Sequence, residues 1–304
     1  MKWRSASLWV LGIVVVALMV YRFRAAFFDA IGTLSAEDGL AWLLLTLGLR
    51  LLLAYGFAIS VRHAGGNVSL RESFLLGWVR SFFNQLIPFS GTAANVIYMN
   101  RVLNLNWGQI GSLGTPLFII ALQATFFVGA VAFAGVIPLL GWPAASATAL
   151  LFGSAILMGR LGVEHLLKVA ARAFPFTTKW IRADSTLIHE FSGQVRNWLM
   201  IVFCLAALLR FLRLLVLFSA LGLNVPIISV FFISAMADVS SVVQLTPGGL
   251  GIRELLIFGV GIVVGGQTDG IAAIALIDRA FTIGAVVVFG ALSILLLRQK
   301  SVCP

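Results

Sequence analysis

Several charged side chains sit where a chain this apolar should hold none. Arg210 and Arg213 lie near the middle of the apolar run 198–221, three residues apart and on one helical face. Asp238 lies on the approach to a Pro/Gly break, and Arg253-Glu254 follow that break. Asp278-Arg279 fall early in the last apolar run, and Arg50 is central in an early one. A charge at the centre of a membrane helix costs about 2.5–3.5 kcal/mol on insertion scales, so each asks for a reason. Guanidinium forks suit phosphate oxygens. Asp238, Glu254 or Asp278 would balance arginine charge or carry a coupling proton. Arg80 and Asn84, one turn apart before an earlier break, are candidates for the same polar cavity, as is Asn95 beyond it. Arg50 and Arg279 stand equally well as snorkelling or structurally paired side chains.

The elements that must position these groups follow from composition. Of 304 residues, 61% are hydrophobic and 11% charged, with a formal net charge of +10. Soluble domains average about 45–50% apolar and about 25% charged. Mean hydropathy is +1.06, so lipid is the natural solvent for the chain. A cytosolic enzyme, a disordered chain, a disulfide scaffold and a nucleic-acid-binding domain are excluded on this ground. The positive charge then belongs to cytoplasmic loops and anionic lipid, not nucleic acid. Cys204 and Cys303 imply neither a disulfide framework nor a metal site.

The expected fold is all-α and membrane-embedded, in a single domain over 1–304. Long apolar runs cover 40–61, 110–136, 144–158, 198–221 and 271–297. A shorter run, 8–21, reads as an uncleaved first helix, against the alternative of a signal peptide, because Arg22 and Arg24 stand where a cleavage site should be small and neutral. Six crossings place Lys2/Arg4, Arg62/Arg71/Arg80, the basic residues of 160–196 and Arg298/Lys300 on one side. The positive-inside rule makes that side, and both termini, cytoplasmic in a cell inner (plasma) membrane. Segment 159–196 reads as a cytoplasmic amphipathic connector between halves 1–158 and 197–304, or as a plain solvated linker.

Two segments, 73–100 and 226–266, are interrupted by Pro and Gly. Gln85-Leu86-Ile87-Pro88 matches Gln244-Leu245-Thr246-Pro247 at three of four positions. Gly91 follows the first proline; Gly248, Gly249 and Gly251 follow the second. Each half is too short to cross. Two re-entrant broken-helix hairpins of opposite orientation are expected, making eight hydrophobic segments in an inverted repeat. Irregular backbone in lipid leaves polar groups unpaired at several kcal/mol each, so the breaks should face protein or a wet midplane cavity. Two Pro-kinked full spans are the alternative. The half-helix beginning near Gly251 would aim its positive end at the cavity.

Pro247 followed by Gly248–Glu254, GGLGIRE, resembles the hallmark of the membrane family related to the flippase part of lysylphosphatidylglycerol synthases. Asn84-Gln85-Leu86-Ile87-Pro88 with Gly91 is similar to its first half-motif. The resemblance covers nearly the whole chain. It implies a multi-helix membrane protein with two re-entrant elements, engaged in lipid or lipid-linked glycan translocation. Family members commonly place an acidic residue and an Arg soon after that first Gly. Thr92-Ala93-Ala94-Asn95-Val96 has neither, and Asn95 is the polar group in their place. The resemblance does not reach the soluble aminoacyl-transfer domain of larger members, so synthesis of lysyl lipid is not expected.

These readings converge on a carrier of anionic phospholipid, aminoacyl lipid or a polyprenyl-phosphate-linked substrate, without a cofactor. An accessory subunit holding a partner synthase, and an intramembrane lipid-modifying enzyme, are the competing classes; a homo-oligomer is open. The enzyme class lacks a visible constellation. No HExxH occurs, and His63, His165 and His189 all fall outside the expected core, leaving no base for Ser90.

Overall fold

The computed structural model describes residues 2–87, 90–136, 193–242 and 247–302. Among them are nine α-helices, one 3₁₀ turn and no strand. In chain order the helices are α1 (Lys2–Thr33), α2 (Ala36–His63), α3 (Leu70–Leu86), α4 (Ser90–Arg101) and α5 (Trp107–Val136). After 137–192 come α6 (Gly193–Ala220), α7 (Ile227–Val242), α8 (Ile252–Val263) and α9 (Thr268–Val302). The 3₁₀ turn, Pro247–Gly249, lies between α7 and α8. The expected crossing 144–158, the connector 159–196 up to residue 192, and Pro88 and Gln244–Thr246 lie outside the described residues.

Local chemistry sets where the helices start. Ser35 Oγ accepts from the Asp38 N–H, while Asp38 accepts from the Ser35 N–H at 3.0 Å. Ser69 and Glu72 form the same reciprocal capping box before α3. Each box satisfies donors that a helix start leaves without partners. The box also explains why α3 begins at Leu70, ahead of the apolar run that starts at Ser73.

Four stretches are long and apolar enough to cross a bilayer: Ala36–His63, Leu117–Val136, Gly193–Ala220 and Thr268–Arg298. Their outward faces carry large apolar side chains such as Leu44, Phe127, Val288 and Leu295. In water such a surface would aggregate; in lipid it is matched to its solvent. The run 8–21 lies within α1, which continues to Thr33 across a kink at Phe23.

Close helix contacts rest on small residues, as expected where lipid removes the hydrophobic drive for association. Gly56 of α2 lies against Val202 and Leu199 of α6. The largest core joins Leu214, Leu217 and Phe218 of α6, Ile233 of α7, and Ile271, Ile274 and Ile277 of α9. Residues 271–279 of α9 are buried on every side, enclosed by α1, α3, α6 and α8.

The two interrupted segments are each a pair of short helices packed against one another, α3 on α4 and α7 on α8. At about 1.5 Å per residue, the 12 residues of α4 or of α8 rise only about 18 Å, well short of the hydrocarbon core.

Candidate functional site

The charged residues of the second half converge from four helices. Asp278 of α9 is the centre. Its Oδ1 lies 3.1 Å from Arg213 Nε, and Arg213 Nη2 donates to Oδ2 at 3.3 Å. Trp42 Nε1 of α2 also donates to Oδ1, at 3.1 Å, and the Arg213 guanidinium lies 4.9 Å over the Trp42 ring. Arg253 of α8 reaches Asp278 Oδ2 at 3.0 Å. One carboxylate therefore holds two guanidinium groups and an indole. A buried carboxylate is tolerable only with partners of this kind.

Beside it, Arg210 Nη1 donates to Asp238 Oδ2 at 3.0 Å. Arg210 sits one turn before Arg213 on α6 and Asp238 lies on α7, so the pair joins the two helices. Asp238 is within electrostatic reach of Arg213 and Arg253 as well.

The third anion, Glu254, has two tasks. Its Oε2 accepts the Gly251 N–H at 2.7 Å and caps the start of α8. Its Oε1 lies 3.2 Å from Arg279 Nε. Arg279 also donates from Nη1 to the Gly248 carbonyl at 2.9 Å and from Nη2 to Gln85 Oε1 at 3.2 Å. Arg279 thus ties the second break to the first. The Arg279 side chain is buried, with partners on three elements.

The glycine motif has a geometric cause. Gly248, Gly249 and Gly251 have φ of 58°, 73° and 84°, the left-handed region that L side chains resist. At Gly248 a Cβ would also meet the Gln85 side chain. The first break is built differently. Asn84 Oδ1 accepts the Gly91 N–H at 2.8 Å, and Ser90 Oγ donates to the Phe83 carbonyl at 2.7 Å. A Cβ on Gly91 would collide with the Arg80 carbonyl.

Of the expected site residues, the structure brings Arg210, Arg213, Asp238, Arg253 and Glu254 together. It does not bring Arg80, Asn84 or Asn95 among these pairs. Arg80 is exposed at the surface. Asn84 caps α4. Asn95 is buried at 7% exposure, and its Oδ1 has no hydrogen-bond partner among the described residues. Arg50 donates to Ser81 Oγ at 2.6 Å and covers the Trp78 ring at 4.8 Å. Four more residues join the cluster: Asp278, expected as a balancing carboxylate or proton carrier, Arg279, expected as a snorkelling or paired side chain, and Gln85 and Trp42, which sequence reasoning missed. The first two carried a signal, since adjacent charges in an apolar span face the same insertion penalty as those selected.

Two cavities open elsewhere. One of about 580 Å³ lies between α1 and Leu250, lined by Val16, Val20, Phe28 and Arg24 among others. The other, of about 600 Å³, lies between α2 and α3 near Arg71. Neither sits over the paired charges, which are closed on one another. No group of three or more metal-ligating side chains occurs among the described residues.

Among the described residues, a helical bundle with outward apolar surfaces, two interrupted helix pairs and ion pairs buried around the second of them defines a multi-pass membrane protein. The chain belongs to the family described as the lysylphosphatidylglycerol synthase TM region, whose model matches residues 9–290. No curated protein and no solved structure matches it.

Proposed function

We propose that this chain is a flippase-like carrier that moves an anionic lipid or lipid-linked headgroup between leaflets. One observation carries the reading. Among the described residues, four buried or half-buried arginines pair with three carboxylates around the second interrupted segment, and Arg50 stands within electrostatic reach of two of them, so positive charge is in surplus inside a membrane domain. A structural network would balance its charges, whereas an anion-handling one keeps a vacancy for the anion.

In this reading the chain is one membrane domain with six crossings. The segments 73–100 and 226–266 enter as hairpins from opposite faces, and the basic loops and both termini are cytoplasmic. The headgroup passes between the hairpins while its tails stay in lipid, and rocking of halves 1–158 and 197–304 switches access. The closed ion pairs are the resting arrangement of that path. A carrier is favoured over an enzyme because the carboxylates are committed to arginines, and no His or Cys among the described residues joins them.

The deciding experiment is leaflet exchange in proteoliposomes. Headgroup-labelled phospholipid, aminoacyl lipid and polyprenyl phosphate are supplied separately. Exchange of at least one above protein-free vesicles is expected, and loss of that exchange in Arg253→Ala at equal expression. No exchange of any of the three overturns the carrier.

A further inference from the structure

The four arginines of the cluster are not equivalent. Arg213 and Arg279 have only 5% and 6% of their side chains exposed, whereas Arg210 and Arg253 have 21% and 19%. Arg213 has two nitrogens on Asp278 and its plane on Trp42. Arg279 is held by three acceptors on three elements. These two are anchored. Arg253 reaches the Asp278 carboxylate that it shares with Arg213 through a single nitrogen, Nη2. Arg210 meets Asp238 through a single nitrogen, Nη1.

Asp238 is the anion paired with Arg210. It touches Arg210 and lies within electrostatic reach of Arg253 and Arg213. A phosphate group entering at the exposed edges of Arg210 and Arg253 would seek the donors that Asp238 now occupies.

We propose that Asp238 is a built-in stand-in for the substrate's phosphate, and that Arg210 and Arg253 are the phosphate-binding pair it guards. The ligand class is an amphiphile with a singly charged phosphodiester, whose charge equals that of the carboxylate it displaces and whose two unesterified oxygens match guanidinium forks. Binding is an ion-pair exchange: the phosphodiester takes Arg210 and the free edge of Arg253, and Asp238 turns away. Arg213 and Arg279 stay on Asp278 and Glu254 throughout. The exchange keeps Arg210 partnered before and after binding. It also keeps the site from holding its ligand too tightly to release.

The inference rests on the carrier reading for the ligand's being a lipid, but equilibrium binding tests it without transport. Detergent-solubilised full-length protein is titrated with short-chain phosphatidylglycerol and, separately, with inorganic phosphate. Removing the stand-in in Asp238→Asn should tighten the phosphatidylglycerol Kd about tenfold. Arg210→Gln should weaken it by at least as much. The exposed Glu37→Gln makes the same charge change far from the cluster and should leave it unaltered. Unchanged or weaker binding by Asp238→Asn overturns the proposal. If that variant does not fold, Arg210→Lys decides: it keeps the charge and a partner for Asp238 but loses the fork. Weakened binding supports the exchange, and unaltered binding overturns it. Equal responses to inorganic phosphate and phosphatidylglycerol would overturn the assignment to an amphiphile. Absent leaflet exchange with these binding results intact removes the carrier and leaves the stand-in. Exchange with an unaltered Asp238→Asn affinity does the reverse.

Discussion

The two breaks meet the same physical demand with different chemistry. Each interrupts a helix inside a membrane domain, where free backbone N–H groups need partners. At the first, neutral groups suffice: Asn84 takes the Gly91 N–H, and Ser90 returns a hydroxyl to the Phe83 carbonyl. At the second, a carboxylate takes the Gly251 N–H and a guanidinium takes the Gly248 carbonyl. Among the described residues, the first break is closed by neutral groups alone. The ions at the second therefore exceed what backbone satisfaction requires, which is the ground for assigning them a ligand. The halves are also unequal in dependence, because Arg279 of the charged half reaches across to Gln85 of the neutral one.

The comparison breaks most violently at Asp278. Asp278→Ala strips a partner from both Arg213 and Arg253 and leaves the Trp42 indole N–H without its acceptor. Removing one member of a buried pair costs about 3–5 kcal/mol, and here two cations are orphaned. Loss of the monodisperse peak in detergent gel filtration is expected. A folded Asp278→Ala with near-native thermal stability would show that the charged half tolerates disruption as the neutral half does.

Glycine substitutions probe the two breaks at the level of backbone. Gly91→Ala drives a methyl into the Arg80 carbonyl, so main chain must move. About 1–3 kcal/mol of overpacking is expected, with α3 and α4 pushed apart. Gly248→Ala meets the end of the Gln85 side chain, which can shift, but it adds the strain of a left-handed φ of 58°, about 1–2 kcal/mol. Detergent melting temperatures should fall further for Gly91→Ala. The opposite order would place the rigid contact at the second break.

How much of this could be read from sequence depends on range. The break positions were legible because Pro and Gly act locally: α3 ends at Leu86 and α4 starts at Ser90, within the expected 73–100, and α7 and α8 flank the turn within 226–266. Charges in apolar runs were legible one by one, since each carries its own insertion penalty. Their pairing was not. Trp42 and Asp278 are 236 residues apart, and no local pattern links them. Helical spacing placed Arg80 and Asn84 on one face, but it does not say what packs across that face. Asn84 turned inward to cap Gly91, while Arg80 remained at the surface.

The smallest effect sharpens the comparison best, because it isolates capping from charge. Asn84→Ala removes the acceptor for the Gly91 N–H and nothing else that pairs with the charged cluster. A lost cap costs about 1 kcal/mol. Glu254→Gln keeps an amide oxygen for the Gly251 N–H but removes the negative charge facing Arg279. If the breaks differ only in how they cap backbone, Glu254→Gln should be the milder change, since its cap survives. If the charge holds Arg279 in place, Glu254→Gln should be the more destabilising of the two, and hydrogen exchange should quicken around both Gln85 and Gly248, the two groups Arg279 binds. We expect the latter, because Arg279 is buried and its other two partners are uncharged. Exchange confined to the start of α8 would reduce Glu254 to a cap and make the two breaks equivalent after all.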